Sequence, residues 1–160
     1  MSGTDLTWNP RTHDGLEWRD ARAADAAIVT RHRFAGAPRR DAERNAFECW
    51  VTARISAGTY LGRLAEIDGA VVAGAGIVLL DWGPTRGNLS GICGRVVAVY
   101  TEPPWRRRGL ASALVRQAMD RAVALGACDF RLAASAEGAG VYRGLGFQRY
   151  DAEMILKTQA

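Results

Sequence analysis

Three consecutive arginines stand between a pair of prolines and the start of a helical pattern. The segment VAVYTEPPWRRRGLASALV covers residues 97–115, with the arginines at 106–108. Pro103 and Pro104 have no backbone N–H, so the apolar strand before them must leave its sheet there. Gly109 is free to adopt a positive φ where the chain turns into the helix. The spacing therefore predicts a strand, a turn and a helix in direct succession.

The start of that helix predicts an anion-binding site. The first turn of a helix exposes backbone N–H groups without intrahelical partners, and the helix dipole adds roughly half a positive charge. Arg106, Arg107 and Arg108 add three guanidinium groups, and Ser112 brings a hydroxyl donor within the first turn. A phosphate group suits such a site best. A solvated basic loop is the alternative, and the placement of the glycine counts against it.

A Walker phosphate-binding loop does not fit this segment. Such a loop needs a lysine after its second glycine, and the only lysine in the chain is Lys157. A dinucleotide fold needs a strand, a glycine turn and a helix in succession. The Gly-Ala-Gly at residues 74–76 lies inside a predicted strand with no helix after it. Another class of phosphate ligand is therefore expected.

Composition narrows the class of protein without deciding it. With 160 residues, 48% hydrophobic and 24% charged, the chain is typical of one globular domain. Its net charge of +4 favours anionic partners without demanding nucleic acid. Cys49, Cys93 and Cys128 form no C-x-x-C pair, and the only histidines are His13 and His32. We expect buried free thiols, no disulfide and no metal.

Location and macromolecular partners are predicted from what the pattern lacks. No run of residues has the apolar length of a signal peptide or a membrane span. The arginines cluster at one turn instead of along a face with stacking aromatics, which is not typical of nucleic-acid binding. We therefore expect a cytoplasmic protein that binds neither nucleic acid nor membrane.

Hydrophobic periodicity predicts the elements that must position the anion site. We expect a flexible N-terminal tail at residues 1–15 and a single domain at 16–160. Strands are predicted at residues 16–21, 59–67, 70–80, 92–101 and 128–135, with a terminal strand or bent pair at 147–157. Helices are predicted at residues 23–36, 40–58, 109–126 and 136–146. This order predicts an α/β fold, in which helices cover both faces of a mixed sheet.

Two motifs resemble the GNAT superfamily of N-acetyltransferases. The family signature for the pyrophosphate of acetyl-CoA is Gln/Arg-x-x-Gly-x-Gly/Ala after the fourth strand. Arg106, Gly109 and Ala111 match it. A second family element is a tyrosine in a short helix followed by Gly-Phe, and Tyr142 with Gly146–Phe147 resembles this element. The two motifs occur in the family order and on the expected elements.

The resemblance covers roughly residues 16–157 and implies an acetyl-CoA-dependent N-acetyltransferase. In the GNAT fold the fourth and fifth strands splay apart, and pantetheine lies in the gap like an added strand. Backbone groups of the fourth strand would bind the pantetheine amides, and the turn before the helix would bind the pyrophosphate. The implied cofactor-binding residues are Val99, Tyr100, Thr101, Arg106, Arg107, Arg108, Gly109, Leu110, Ala111, Ser112, Ser135 and Tyr142.

The resemblance also implies direct attack of a neutral amine on the thioester. The backbone N–H of Val99 would stabilise the oxyanion, and Tyr142 would donate a hydrogen bond or a proton to the departing sulfur. Many members carry a glutamate on the fourth strand as general base, but ICGRVVAVYT has none. Glu102 and Asp81 are poorly positioned, so the base is unassigned and a water relay is an equal alternative. Ser135, where many members have asparagine, would hold a water or the pantetheine.

The resemblance places the acceptor pocket at the first two helices and the loops near them. The candidate acceptor residues are Arg31, His32, Phe34, Phe47, Trp50 and Trp82. For His32 and Trp50, simple packing is the alternative. An aromatic and basic wall predicts a small neutral or acidic amine as the acceptor.

The sequence leaves two alternative functions undecided, and it leaves the oligomeric state undecided as well. One is acetylation of a protein N-terminus or lysine. The other is non-catalytic binding of acyl-CoA, which the missing strand glutamate keeps open. Since members of the family often dimerise, a homodimer is a further expectation.

Overall fold

Five strands and four α-helices make up the part of the chain described by the computed structural model, residues 15–158. The strands are β1 (Glu17–Asp20), β2 (Tyr60–Ile67), β3 (Ala70–Asp81), β4 (Ile92–Thr101) and β5 (Asp129–Arg131). The helices are α1 (Ala26–Arg33), α2 (Asp41–Ser56), α3 (Leu110–Ala124) and α4 (Ala139–Gly144), with 3-10 turns at Ala23–Asp25 and Pro103–Trp105. The predicted tail lies outside the described residues, apart from Gly15.

The strands form one mixed sheet in the order β1-β2-β3-β4-β5. Neighbouring strands are antiparallel from β1 to β4, whereas β4 and β5 are parallel. Asp68 and Gly69, both with positive φ, form the turn between β2 and β3. The prediction of a mixed sheet is therefore confirmed.

Helices cover both faces of the sheet, as the alternation of elements predicted. On one face, α3 packs through Leu110, Leu114, Ala118 and Ala122, which recur every four residues and are at most 1% exposed. On the other face, α1 and α2 pack on Tyr60 and Val78 through small and β-branched residues that include Val29 and Val51.

The pairing of β4 with β5 is short, and the two strands then diverge. Only Cys93, Gly94 and Arg95 pair with β5. A Cβ at Gly94 would lie 2.5 Å from the ring of Phe130, so the glycine leaves room for the ring of its paired residue. From Val96 onward, the edge of β4 that faces β5 has no strand partner. The predicted splaying of the fourth and fifth strands is confirmed.

A β-bulge in β4 was not predicted. Gly74 on β3 faces Tyr100 and Gly76 faces Val97, so Ala98 and Val99 together oppose one residue of β3. Ala98 has a φ of 52°, which is unusual for a residue with a side chain. The extra residue interrupts the ladder and re-aims the strand beside the gap to β5.

The predicted terminal strand at residues 147–157 is wrong. No helix or strand forms there, and Met154, Ile155 and Leu156 are 98%, 83% and 87% exposed. Glu153 forms an ion pair with Arg131. A single ion pair does not replace a hydrogen-bonded ladder, and apolar character alone does not supply a partner strand.

Two other predictions need correction. The predicted strand at 128–135 is reduced to Asp129–Arg131, because β5 leaves the sheet. The three cysteines are free, but Cys49 and Cys128 are exposed, because they lie outside both cores. Within residues 15–158, no helix is both long and apolar enough to cross a membrane.

Candidate active site

The start of α3 has the geometry of an anion site. Gly109 is the N-cap residue with a φ of 78°, and Arg107 before it has a φ of 61°. No side-chain hydrogen bond caps this helix end within the described residues. The N–H of Ala113 donates to the carbonyl of Gly109 at 3.0 Å. The N–H groups of residues 110–112 precede that bond and are the unsatisfied donors that an anion would accept from.

A cleft of about 1310 Å³ joins this helix end to the open edge of β4 and to α4. It brings together all but one of the residues predicted to bind the cofactor: Val99, Tyr100, Thr101, Arg106, Arg107, Gly109, Leu110, Ala111, Ser112, Ser135 and Tyr142. Arg108 is the exception, and its guanidinium lies over the ring of Trp105, 4.8 Å from the centroid.

The open edge of β4 follows from the bulge and from the departure of β5. Neither Ala98 nor Val99 has a paired residue on β3, and β5 provides no partner on the other side at this level. An extended amide chain could therefore pair with this part of β4 as a strand would. Arg106 is held beside the edge, since its Nε donates to the carbonyl of Thr101 at 3.0 Å.

Tyr142 projects into the cleft from the short helix α4. The Oγ of Ser135 accepts a hydrogen bond from the N–H of Gly138 at 3.1 Å and thereby shapes the turn before the helix. A Cβ at Gly138 would lie 3.3 Å from the Tyr142 ring, and the ring of Phe147 packs edge-on at 6.0 Å between centroids. Burial raises the pKa of Tyr142. Its hydroxyl is therefore protonated near neutral pH and can donate a hydrogen bond.

His32 lies between the core and the cleft. It is 4% exposed and stacks on Tyr100, with 5.1 Å between ring centroids. A Cβ at Gly74 would lie 2.7 Å from its Nδ1, so the glycine makes room for the ring. Burial, with a smaller contribution from Arg31, lowers the pKa of His32 to about 4. Its Nε2 is buried and has no hydrogen-bond partner among the described residues. His32 thus both packs in the core and lines the cleft.

Of the other predicted acceptor residues, two line the cleft and three do not. Phe34 and Arg31 line the cleft with His32, whereas Phe47, Trp50 and Trp82 are not among its lining residues. Phe47 supports Phe34 from behind through an edge contact at 5.7 Å. Trp50 is 36% exposed and Trp82 is 62% exposed. The helical periodicity around Trp50 and the loop position of Trp82 could not show that these side chains lie outside the cleft.

The two carboxylates considered as general bases do not line the cleft. Glu102 accepts a hydrogen bond from the hydroxyl of Tyr100 at 3.2 Å and pairs with Arg31 at 3.1 Å. Asp81 accepts the N–H of Gly83 at 3.1 Å in an exposed loop. The structure therefore places neither carboxylate where it could act as the general base.

Several cleft residues were missed by the sequence analysis. They are Arg33, Arg44, Arg95, Trp105 and Glu137, among others. Arg95 carries a signal that could have found it, since it is a charged residue inside the apolar strand ICGRVVAVYT. Arg33 and Arg44 carry no local signal, because the packing of α1 against β4 and of α2 against α1 determines which of their side chains reach the cleft.

The chain belongs to the acetyltransferase (GNAT) family. The model of that family matches residues 21–147, which is most of the sequence. The fold and the cleft described above agree with that membership. The protein is therefore an acetyl-CoA-dependent acetyltransferase.

Solved structures share the fold over nearly their whole length. A GCN5-related N-acetyltransferase from Ralstonia eutropha JMP134 is 28% identical, with a TM-score of 0.79 over 90% of this chain and 99% of its own. A predicted acetyltransferase with acetyl-CoA from Clostridium acetobutylicum is 24% identical, with a TM-score of 0.82 over 89% and 96%. An aminoglycoside N-acetyltransferase in complex with CoA is 16% identical, with a TM-score of 0.70 over 91% and 95%. No curated protein matched the chain by sequence.

Proposed function

We propose that the protein transfers the acetyl group of acetyl-CoA to the primary amine of a small neutral or acidic molecule. The observation that carries this proposal is the single cleft that joins the start of α3, the open edge of β4 and Tyr142. Those three features suit the diphosphate, the pantetheine amides and the thioester of the donor, in that order along the cleft.

The diphosphate is held at the start of α3. The N–H groups of residues 110–112 and the hydroxyl of Ser112 donate to its oxygens, and the helix dipole favours its negative charge. Arg106 and Arg107 line the same part of the cleft and add charge-assisted hydrogen bonds. Thr101 and Tyr100 preorganise Arg106, whose guanidinium lies 5.9 Å from the Tyr100 ring centroid. Less side-chain entropy is then lost on binding.

The pantetheine arm pairs with the edge of β4 that β5 has left open. Backbone groups of Val99, Tyr100 and Thr101 bind its amides by the hydrogen bonds that a neighbouring strand would otherwise make. The bulge at Ala98 re-aims the strand at the level where the thioester lies. Ser135 shapes the opposite wall through its hydrogen bond with Gly138.

The reaction is a direct attack. The amine nitrogen forms a bond to the thioester carbonyl carbon, the C–S bond breaks, and the ammonium proton passes to solvent. The N–H of Val99 stabilises the oxyanion, a type of contact worth about 3 kcal/mol where it has been measured. Tyr142 donates a hydrogen bond to the departing sulfur. Its raised pKa favours that role over full proton transfer.

The proposal of a small acceptor rests on the wall formed by α1 and the segment after it. That wall is aromatic and basic, with Phe34 and Arg31 beside His32. A polycation would meet like charges there, which disfavours its binding. The aminoglycoside N-acetyltransferase shares only the fold with this chain at 16% identity, so its substrate is not carried over. Cytoplasmic location and a homodimer also remain predictions.

Titration of the protein with acetyl-CoA and with acetyl-pantetheine tests the proposal. We expect micromolar binding of acetyl-CoA and binding weaker by about 30-fold or more without the nucleotide and diphosphate. Tyr142→Phe should keep acetyl-CoA affinity and lose about 10- to 100-fold in kcat, as expected for one hydrogen bond to a developing charge.

Tyr150→Phe is the matched control, since Tyr150 is 66% exposed and does not line the cleft. Failure to bind acetyl-CoA would rule out the proposal. Binding without turnover of any amine would favour the non-catalytic acyl-CoA module instead. Turnover of a protein N-terminus or lysine in preference to small amines would favour the protein acetyltransferase.

A further inference from the structure

The cleft carries much more positive than negative charge. Among the residues the structure describes, six arginines and one carboxylate line it: Arg31, Arg33, Arg44, Arg95, Arg106, Arg107 and Glu137. Arg106 and Arg107 flank the start of α3, where the proposed function places the diphosphate. Arg31 pairs with Glu102 at 3.1 Å. The charges of the other three arginines, Arg33, Arg44 and Arg95, are balanced neither by the proposed donor nor by an ion pair within the described part of the chain.

Those three arginines have no carboxylate partner within residues 15–158. The ion pairs there involve other arginines, as where Arg19 holds Asp25 and Glu66. Arg33, Arg44 and Arg95 are thus like charges that border one cleft and form no ion pair within the described residues. Such an arrangement favours an anion between them.

Arg44 is the most preorganised of the three. It extends from the first turn of α2 towards the segment that links α1 and α2. Its Nη2 donates to the carbonyl of Phe34 at 3.2 Å, and its guanidinium lies 5.4 Å from the Phe34 ring centroid. Its Nε is buried and finds no hydrogen-bond partner in the part of the chain that the structure describes. An unsatisfied donor on a guanidinium that is already held in place is a ready contact for an oxyanion.

Arg95 lines the same cleft from strand β4. It is two residues before Val97 on β4, so the two side chains lie on the same face of the sheet. Val97 packs against the core formed with α1 and α2, which places Arg95 on the acceptor side. Its side chain is exposed and makes no hydrogen bond or ion pair within residues 15–158. Arg33 is the last residue of α1, and its guanidinium lies 6.0 Å from the Phe47 ring centroid.

We infer that the acceptor amine carries an anionic group, a carboxylate or a phosphate, which Arg33, Arg44 and Arg95 bind. This inference rests on the proposed function and names the substrate class of the same site. The proposed function allows a neutral or an acidic acceptor molecule, and this inference restricts the acceptor to the acidic class. The two anion sources share the same chemistry at the arginines and differ in charge and size, so paired probes separate them.

The test compares amines that differ only in the anion. L-amino acids are compared with their C-terminal amides, and glucosamine 6-phosphate with glucosamine, with spermidine as a polycation. Binding is measured by titration into the protein saturated with CoA, and turnover by release of CoA thiol. Amides have the less basic amines, so a preference for the acids would oppose the intrinsic reactivity and report recognition.

Arg44→Gln and Arg95→Gln are compared with Arg54→Gln. Arg54 lies on α2 like Arg44, but its guanidinium is over Trp50 and it does not line the cleft. We expect one acidic series to be preferred by about tenfold or more, and each cleft variant to raise its KM by about tenfold. Acetyl-CoA affinity should be unchanged in all three variants, and the KM should be unchanged in Arg54→Gln.

Three results would overturn the inference while leaving the proposed function standing. They are preference for the uncharged or polycationic amines, no binding of any acidic probe to the CoA complex, and an unchanged KM in both cleft variants. Loss of acetyl-CoA affinity in Arg44→Gln or Arg95→Gln would also overturn it, since those arginines would then serve the donor. Failure of the wild-type protein to bind acetyl-CoA would instead remove the proposed function, and this inference with it.

Discussion

Burial keeps His32 neutral in the folded protein. Its ring is enclosed by Tyr100 and the backbone at Gly74, and the side chain is 4% exposed. Desolvation disfavours the imidazolium most, the charge on Arg31 adds to that effect, and Glu102 opposes it. The result is a pKa of about 4, against an ordinary value of 6.5.

This depressed pKa predicts a loss of stability in mild acid. Between pH 6.5 and 4 the unfolded chain binds a proton at His32 that the folded chain does not, so the free energy of unfolding falls as the pH falls. The total effect reaches about 3 kcal/mol near pH 4 and vanishes above pH 7. Urea unfolding at pH 7 and pH 4.5 measures it, with His32→Phe as the comparison.

We expect the wild-type protein to lose about 2 kcal/mol more than His32→Phe between those two pH values. Phe retains a ring to stack on Tyr100 and removes the titration. Equal losses in the two proteins would contradict the prediction. An NMR titration of the wild-type imidazole gives the pKa directly, and a value near 6.5 would contradict it even if the variant does not fold.

At the level of elements, the turn into α3 depends on one glycine. Gly109 has a φ of 78°, and a Cβ there would meet nothing within 4 Å. Any cost of a side chain at this position therefore comes from the backbone and not from crowding. The same backbone orients the N–H groups that face the cleft.

Gly109→Ala should lower the free energy of unfolding by about 1–2 kcal/mol. It should also weaken acetyl-CoA binding, because the first turn of α3 shifts to relieve the strain. Gly140→Ala is the matched control, since Gly140 lies inside α4 without a positive φ and its Cβ would also meet nothing. That control should be neutral or stabilising. Acetyl-CoA affinity in Gly109→Ala equal to that of the wild type would contradict the role given to this turn.

At the scale of the whole molecule, the cleft in which donor and acceptor are proposed to bind carries an excess of positive charge. The net charge is +4, and the cleft has six arginines against one glutamate among the described residues. The shape that gathers them comes from the divergence of β4 and β5 and from the approach of α1 to β4. The electrostatic contribution to binding is therefore a property of the assembled cleft.

Raising NaCl from about 0.05 to about 0.5 M should weaken acetyl-CoA binding about tenfold, because salt screens exposed charges more strongly at the higher concentration. Acetyl-pantetheine, which has no phosphate, should change by less than about twofold. Isothermal titration at both salt concentrations measures the two ligands side by side. The same loss for both ligands would show that salt acts on the protein and not on the phosphate contacts.

The sequence by itself determined the features that depend on neighbouring residues. Pro103, Pro104 and Gly109 specify how the strand ends and the helix begins, because each limits or frees its own backbone. The apolar period of α3 and the turn at Asp68–Gly69 are likewise local. From these came the mixed sheet covered by helices, most element bounds and the turn at which an anion is proposed to bind, while the family resemblance added the divergence of β4 and β5.

The tertiary structure decided what depends on distant partners. The bulge at Ala98 requires β3 as its reference, and the terminal segment needed a partner strand that none of the described residues provides. Likewise, His32 becomes buried only where Gly74 and Tyr100 enclose it. Arg44 and Arg95 line one cleft only because the fold brings α2 and β4, which are distant in sequence, to it. Packing between elements far apart in sequence sets these positions, and periodicity within one element cannot report it.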